Sequence, residues 1–400
     1  MKRLIIYPLV IMMALNAAAQ TKTSYVDPFI GTDGMGHTFP GACVPFGGVQ
    51  LSPDTDTIPH NIGGKYQPMV YETCAGYRYN DPTIVGFSHT HFSGTGHSDL
   101  GDILIMPTTG PLKLNPGTAD NPDSGFRSRF SHSTEKASPG LYEVTLDDYD
   151  IKARLTATSR VGVHEYTFCH PERSEGSMRS EGSMRSEGSG HIILDLIHGI
   201  YDYDGKTLWA EVQVLDDKTV TGYRITDGWA RTNYTYFAIE FSQPITEYGY
   251  VDRQRIDYKG GWAKFDTRKN FPAMAGRKLV AWFKFDTRKD PKLTVKVALS
   301  STGTTGALKN LKAEASGKTF DQIAAEAQTA WEKELSVMEI TGTEAEKKMF
   351  YTSLYHTMIN PSVYMDVDGS YRGLDHEIHK ADGFTNYTVF SLWDTYRAEH

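Results

Sequence analysis

Cysteine is scarce. Cys43, Cys74 and Cys169 are all that 400 residues hold. Their spacing matches no zinc-binding pattern, and three thiols cannot build the dense disulfide framework of a small secreted scaffold. A single Cys43–Cys74 bridge is permitted in an oxidising compartment; the alternative is that the thiols serve as small buried apolar side chains. Positive charge is also in deficit. The formal net charge is −8, which argues against a nucleic-acid partner. Long apolar runs are missing except at the start. Leu4–Leu15 follows Lys2 and Arg3 and precedes Ala17-Ala18-Ala19 and Gln20. About twelve apolar residues cannot cross a bilayer core of roughly 30 Å. The pattern is that of a secretory signal peptide over residues 1–19. No cysteine follows the cleavage site, so lipid attachment is not indicated. The mature chain is expected to be exported, to the periplasm or the cell surface, with no membrane insertion.

What is abundant is glycine and aromatic side chains: 37 Gly, 23 Tyr, 18 Phe and 6 Trp. Aromatic rings stack on the apolar faces of sugars, but a large β-sandwich collects them as well. The densest chemistry lies in Gly86–Asp102, GFSHTHFSGTGHSDLGD, with His89, His91, His97, Asp99 and Asp102 among four glycines. No amphipathic helix tolerates that glycine load, at roughly 1 kcal/mol per interior Gly. The stretch is a folded loop whose polar side chains suit binding. Gly31–Gly48, GTDGMGHTFPGACVPFGG, has the same character and carries His37; Phe390–Arg397, FSLWDTYR, sets an indole beside a carboxylate and an arginine. These three stretches are expected to meet at one polar, aromatic-lined pocket for a sugar.

From Tyr25 to about Ser301 short alternating apolar runs are broken by Gly, Pro, Asp and Asn. Leu141–Leu146, Lys152–Thr158, His191–Ile197, Tyr234–Phe241, Lys278–Phe285 and Leu293–Leu299 are such runs. They predict a large β-sandwich. Pro171–Gly190, with Ser-Glu-Gly-Ser-Met-Arg repeated, has almost nothing to bury and reads as a disordered insertion at a hairpin tip, between neighbouring strands Val161–Cys169 and His191–Ile197. The pentapeptide Phe265–Lys269 recurs at Phe285–Lys289, either as a local duplication or as two similar strand ends.

Near Thr319 the period changes. Phe320, Ile323, Ala327, Trp331 and Leu335 recur at helical spacing behind a Thr319/Gln322 capping box, and a Thr343/Glu346 box opens a second helix that stops near Pro361. Leu335–Ile340 reads as briefly extended and Ser362–Tyr371 as a loop. Asp366 and Asp368 lie in DVDG, which lacks the rest of a calcium loop and reads as a surface turn.

The motifs YVDPFIGT (Tyr25–Thr32), HTFPGACVPFG (His37–Gly47), GYRY (Gly76–Tyr79), GFSHTHFSGTGHSDLGD, DVDGSYRG (Asp366–Gly373) and FSLWDTYR make the mature chain similar to glycoside hydrolase family 92, exported exo-α-mannosidases. The resemblance implies an α+β multidomain chain: a β-sandwich over 20–310 with the insertion at 170–190, a helical linker over 311–341, and over 342–400 the beginning of an (α/α)6 barrel. It also implies calcium-dependent, inverting hydrolysis of terminal, often α-1,2-linked mannose from mannose-containing glycans. An inverting mechanism needs two carboxylates roughly 6.5–9.5 Å apart. The family's barrel continues for several hundred residues beyond WDTYR, whereas this chain ends three residues after Arg397. The acid, the base and the calcium ligands therefore have no matching positions here, and the chain is expected to be a truncated form, inactive alone.

Asp394, beside Trp393, resembles the family's sugar-binding carboxylate, and a carboxylate accepts two hydroxyl hydrogen bonds selectively; pairing with Arg397 to lock the domain junction is the structural alternative. His37, His89, His91 and His97 are candidates for sugar contact, against a role as satisfied structural histidines. His-x-His is also a metal-ligand spacing, but calcium prefers oxygen. Asp99 and Asp102 suit holding loop amides. Two other functions compete: a non-catalytic sugar-binding sandwich, and a metal-dependent hydrolase built on the histidines, which predicts tight zinc binding.

Overall fold

Leu141–Leu146 buries every second residue, Tyr142, Val144 and Leu146, and leaves Leu141, Glu143 and Thr145 half-exposed. That period-two pattern is what a sheet with one covered face requires. It recurs in strand after strand of a computed structural model that describes residues 20–55, 61–169, 189–254 and 270–388. The strands form two main antiparallel sheets. One has seven strands in the order Ala42–Cys43, Gln50–Asp54, Gly86–Ser88, Leu104–Thr109, Gly190–Asp195, Leu279–Phe285 and Glu247–Asp252. The other has nine, Ala273–Gly276, Thr207–Val214, Thr219–Thr226, Asn233–Phe241, Lys292–Ser300, Val161–Phe168, Ile151–Ala157, Leu141–Leu146 and Lys136–Ser138. Their inner faces share one core, with Ile192 and Phe283 of the first sheet clustered with Val220, Phe241 and Val295 of the second. Phe241 and Phe283 meet across it at 5.4 Å between ring centroids. This is the sandwich that the alternating runs predict.

One pairing differs. Val161–Phe168 belongs to the nine-stranded sheet, between Ile151–Ala157 and Lys292–Ser300. Gly190–Asp195 belongs to the other sheet, between Leu104–Thr109 and Leu279–Phe285. The repeat segment therefore does not join a hairpin; it crosses from one sheet to the other. The ends are close because the sheets face each other: a Cβ on Gly190 would lie 2.5 Å from the Phe168 ring. Residues 170–188 themselves, the leader 1–19 and the first Phe-Asp-Thr-Arg-Lys copy lie outside the described residues.

The helical part starts earlier than the period change suggests. Helix α1, Thr304–Glu314, follows the last long strand directly. It lays Ala307 and Leu311 on Ala238, Ala298, Val161 and Val163 of the nine-stranded sheet's outer face. Helices α2 (Phe320–Leu335) and α3 (Glu344–Thr357) each begin at the capping box read from the sequence. No strand follows α2; Leu335–Ile340 is the end of the helix and a turn. After α3 the chain forms two small antiparallel pairs, Ser370–Arg372 with Ile378–Lys380 and, enclosing that hairpin, Ser362–Val363 with Tyr387–Thr388, so the loop expected over Ser362–Tyr371 is confined to residues 364–369. Among the described residues no helix is long and apolar enough to cross a membrane.

The N-terminal segment is clasped between these helices. Glu332 of α2 accepts from the backbone N–H groups of Lys22 (2.8 Å) and Thr23 (2.9 Å) and from the Thr23 hydroxyl (2.9 Å). Tyr25 stacks on Tyr351 of α3 at 5.5 Å. Below them the indole N–H of Trp331 donates to the Cys43 carbonyl at 2.7 Å. Cys43 and Cys74 are free. The Cys43 thiol packs against the Tyr355 hydroxyl at 3.7 Å, and burial pushes its pKa up to about 12, with the Tyr355 contact opposing. Cys74 donates to the Tyr71 carbonyl at 3.0 Å. Both thiols are small buried groups.

Candidate functional site

The two glycine-rich stretches meet. The Gly94 N–H donates to the His37 carbonyl at 2.7 Å, and the Gln50 N–H to the His89 carbonyl at 2.9 Å. Such contact needs absent side chains. A Cβ on Gly96 would lie 2.5 Å from the Tyr71 hydroxyl oxygen, and one on Gly76, at φ +82°, 2.4 Å from an Asp54 carboxylate oxygen.

Asp54 is the polar centre of this region. It is buried at the end of strand Gln50–Asp54, and each of its oxygens meets an imidazole: His91 Nε2 at 2.7 Å and His198 Nε2 at 2.7 Å. Burial alone would raise the Asp54 pKa, but the two histidines hold its carboxyl well below the usual carboxylate range. Burial opposes a proton on His198, yet the Asp54 carboxylate outweighs it and raises the His198 pKa. His91 is fixed at its other nitrogen, where Nδ1 lies 2.7 Å from the Gln50 carbonyl.

His91 also reaches a cleft between the sandwich and the hairpin segment after α3. The cleft encloses about 760 Å³, part of it open to solvent, and Thr90, His91, Asp102, Arg160, Tyr234 and Tyr364 are among its walls. Arg160 braces it, with Nε donating to the Met365 carbonyl at 2.5 Å and Nη1 to Glu314 at 2.6 Å. Two carboxylates line it among the described residues, and both are engaged. Asp102 accepts from the Thr90 hydroxyl at 3.0 Å and lies 3.5 Å from the Arg224 guanidinium. Asp366 accepts from the Ser300 hydroxyl at 2.9 Å, from Asn310 Nδ2 at 2.7 Å and from the Thr302 hydroxyl. DVDG is a turn, closed by the Gly369 N–H donating to the Asp366 carbonyl at 2.9 Å, but the Asp366 side chain is buried; Asp368 is the more exposed side, accepting from Lys309 at 2.7 Å. Thr388, the last described residue, also lines the cleft. Trp393, Asp394 and Arg397 lie outside the described residues.

The remaining histidines sit elsewhere. His89 turns into the sandwich core, where Nδ1 lies 2.7 Å from the Ile103 carbonyl and Nε2 3.0 Å from His164 Nε2. His164 Nδ1 lies 2.8 Å from the Tyr166 hydroxyl. A carbonyl only accepts, so His89 donates there; its other nitrogen then accepts from His164, whose second nitrogen accepts from Tyr166. That one-way chain is the arrangement two neutral rings adopt. Burial keeps His89 neutral, lowering its pKa to about 4, and lowers that of His164 well below the usual value. No nitrogen of His89 is left for a ligand. His37, at φ +53°, packs edge-on against Tyr71 at 4.7 Å. His97 stacks on Trp229 at 4.4 Å, and its Nδ1 has no hydrogen-bond partner among the described residues. The Trp229 backbone N–H donates to Asp99 at 2.9 Å, Leu100 donates to the same carboxylate at 2.9 Å, and Lys206 pairs with it. Asp99 holds loop amides, as its position suggests; Asp102 holds a hydroxyl and an arginine instead.

Asp54, His198, His164 and Trp229 escape a reading of the motifs. Each stands outside the glycine-rich stretches, and its partner lies from 75 to 144 positions away. Among the described residues no group of three or more His, Cys, Asp and Glu side chains could hold a metal ion.

Residues 25–300 match the glycosyl hydrolase family 92 N-terminal domain, and residues 306–400 the glycosyl hydrolase family 92 catalytic domain. Among solved structures, the family GH92 alpha-mannosidase BT3965 of Bacteroides thetaiotaomicron, determined alone and with mannoimidazole, is 40% identical. Its TM-scores are 0.82 and 0.81, over 94% of this chain and 46% and 45% of that one. The GH92 inverting mannosidase BT2199 of the same organism is 25% identical with a TM-score of 0.70, over 92% of this chain and 44% of its own. A protein of Arthroderma benhamiae described as an uncharacterized secreted glycosidase is 23% identical over 85% of this chain and 42% of its own length. The chain thus spans less than half the length of these relatives. The two domain matches together run from residue 25 to residue 400 with almost no gap, and the chain belongs to glycosyl hydrolase family 92.

Proposed function

We propose that this chain forms the glycan-binding wall of an exported exo-α-mannosidase that removes terminal, α-1,2-linked mannose with inversion. The observation that carries the division of labour is the state of the two cleft carboxylates. Asp102 is engaged by the Thr90 hydroxyl and faces Arg224, and Asp366 by Ser300 and Asn310, so both carboxylates serve to hold the walls of the cleft. An inverting pair roughly 6.5–9.5 Å apart has to come from residues other than these, and on this reading the acid, the base and the calcium ligands lie beyond residue 400. Family membership and the likeness to a mannosidase solved with mannoimidazole support mannose as the sugar. The polar cleft and its tyrosines support a role in binding.

Asp394 accepts two hydroxyls of the terminal sugar on this reading, beside Trp393 and Arg397, while His91, held by Asp54, fixes the Gln50 edge of the cleft. His37 and His97 line the neighbouring aromatic rim, and His89 supports the loop from behind. The leader over residues 1–19 directs the protein out of the cytoplasm.

The test is an assay of the purified 400-residue chain and of a complete homologue on an aryl α-mannoside, with calorimetric titration of a manno-oligosaccharide into the chain. Binding without turnover is expected from the chain, weakened at least tenfold by Asp394→Asn. Turnover at a rate comparable to the homologue would overturn the assignment of acid and base to other residues. Absence of binding would overturn the role as a glycan-binding wall.

A further inference from the structure

The Asp54 carboxylate joins three segments that are far apart in the chain. Asp54 ends strand Gln50–Asp54, His91 stands 37 positions on in the glycine-rich loop, and His198 stands 144 positions on, just past strand Gly190–Asp195. The third segment lies directly behind the cleft. The Ile200 N–H donates to the Leu100 carbonyl at 3.1 Å, and a Cβ on Gly101 would lie 2.8 Å from that same nitrogen. Arg224 bridges the same two segments, 3.5 Å from the Gly101 and Ile197 carbonyls. Thr90, His91, Leu100 and Asp102 are cleft wall, so the seating of residues 197–200 bears on the wall itself. The two imidazoles differ. His91 faces a carbonyl at one nitrogen and the Asp54 carboxylate at the other; both are acceptors, so it donates from both nitrogens and both protons are committed. His198 meets Asp54 through Nε2, while its Nδ1 makes no hydrogen bond among the described residues and its side chain is 13% exposed. Water can take a proton from His198 Nδ1 without breaking the Asp54 contact.

We propose that Asp54 is a positioning residue for glycan binding: through His91 and His198 it holds residues 89–102 and 197–200 in one arrangement behind the cleft, and His198 is the end of this lock that exchanges its proton with water. The inference rests on the reading of the cleft as a glycan site. The other charged groups facing His198 are Asp195, Arg224 and Asp202. Asp195 also accepts from the backbone N–H groups of Ile197 at 2.7 Å and His198 at 3.1 Å, which fixes the turn that carries the ring. Burial and Arg224 oppose a proton on His198; Asp54 and Asp195 outweigh them and raise its pKa. The contribution of that proton to the fold is therefore whole below about pH 6.5 and is lost as the pH rises through the raised value. Losing it removes the positive partner of Asp54 and weakens the bond. The wall is then formed in a smaller fraction of molecules, and the apparent affinity for a ligand of the cleft falls with that fraction.

The experiment is calorimetric titration of an α-1,2-linked mannotriose into the whole 400-residue chain between pH 6 and pH 8.5, with NMR of the nitrogen-labelled histidine rings over the same range. Affinity is expected to fall about three- to tenfold from the lower to the higher pH. The His198 ring should titrate above about pH 6.5, while His91 keeps both ring protons throughout. His198→Gln offers Asp54 a donor that cannot titrate, so its affinity should be nearly independent of pH and close to the wild-type value at pH 8.5. Asp54→Asn cannot accept from both imidazoles. It should bind more weakly at pH 6 and bring the His198 midpoint down to about 6.5 or lower. A merely structural Asp54 would weaken binding in that variant and leave the titration of His198 where it was, which would overturn the proposal. Wild-type affinity equal at both ends of the range would overturn it as well and leave the cleft as a glycan site. No binding at any pH would overturn the cleft reading, and with it the glycan role of Asp54, while the ring titrations would still decide whether Asp54 holds the two histidines. If Asp54→Asn failed to fold, a wild-type pH profile in His198→Gln would overturn the lock.

Discussion

His89 and His164 cannot both be protonated and keep their Nε2–Nε2 hydrogen bond, since one of the two nitrogens must accept. In the unfolded chain each takes a proton near pH 6.5. In the folded protein burial delays this for His89 to about pH 4, and burial delays it for His164 as well. Between those values the unfolded state binds more protons, so stability falls as the pH falls. A shift from 6.5 to about 4 at His89 corresponds to roughly 3 kcal/mol. Urea midpoints measured from pH 7 to pH 4.5 should therefore drop steadily; a flat profile would show that the pair titrates freely. The sequence displays the motif His89-Thr90-His91 plainly, and a metal-like spacing is its obvious attraction. It does not display that the two rings diverge, one to a core partner on strand Val161–Phe168 and the other to Asp54 and the cleft. A residue's chemistry is legible in its type, but its neighbours are decided by folding across 37 to 75 positions.

At the scale of elements, local signals were readable where the stabilising contact is local. The two capping boxes are made within three residues, and both exist, with Thr319 accepting from the Gln322 N–H and Thr343 from the Glu346 N–H. Replacing either threonine by alanine should cost about 1 kcal/mol, read as a lower denaturation midpoint; no change would mean that tertiary packing alone sets those helix starts. Helix α1 has no such signal. Its N-cap is Gly303 with no side-chain bond, and its buried Ala307, Leu311 and Ala315 form too thin a stripe to stand out beside the preceding strand. Asp366 is the converse case, a residue in a turn-like DVDG whose burial depends on Ser300, Thr302 and Asn310, at least 56 positions earlier. Its three donors lose their acceptor in Asp366→Ala. We expect a loss of roughly 2–4 kcal/mol and faster proteolysis within residues 362–388, followed by mass spectrometry. Unchanged cleavage would show that the hairpin segment is held by other contacts.

For the whole molecule, the sandwich class follows from strand periodicity, but the allocation of strands to sheets does not, because pairing joins distant segments. The crossing at residues 169–189 shows the cost of assuming that sequential strands pair. It also makes a prediction. Facing sheets lie about 10 Å apart, which four residues at roughly 3.3–3.6 Å each can span. A chain with residues 170–188 replaced by a four-residue Gly/Ser linker should keep its melting temperature within a few degrees; collapse of the fold would mean that the segment itself stabilises the sandwich. The aromatic residues, Gly-rich loops and family motifs led to the cleft region, yet the cleft's second wall, Asn360–Asp366, was readable only as a loop. The clasp on the N-terminus bears on the order of events. Lys22 and Thr23 find their acceptor at Glu332, 310 and 309 positions later. A chain emerging from its N-terminus must hold that segment unpaired until Glu332 has emerged. Closing so long a loop is slow, and the seam between first segment and helices is then the last to form.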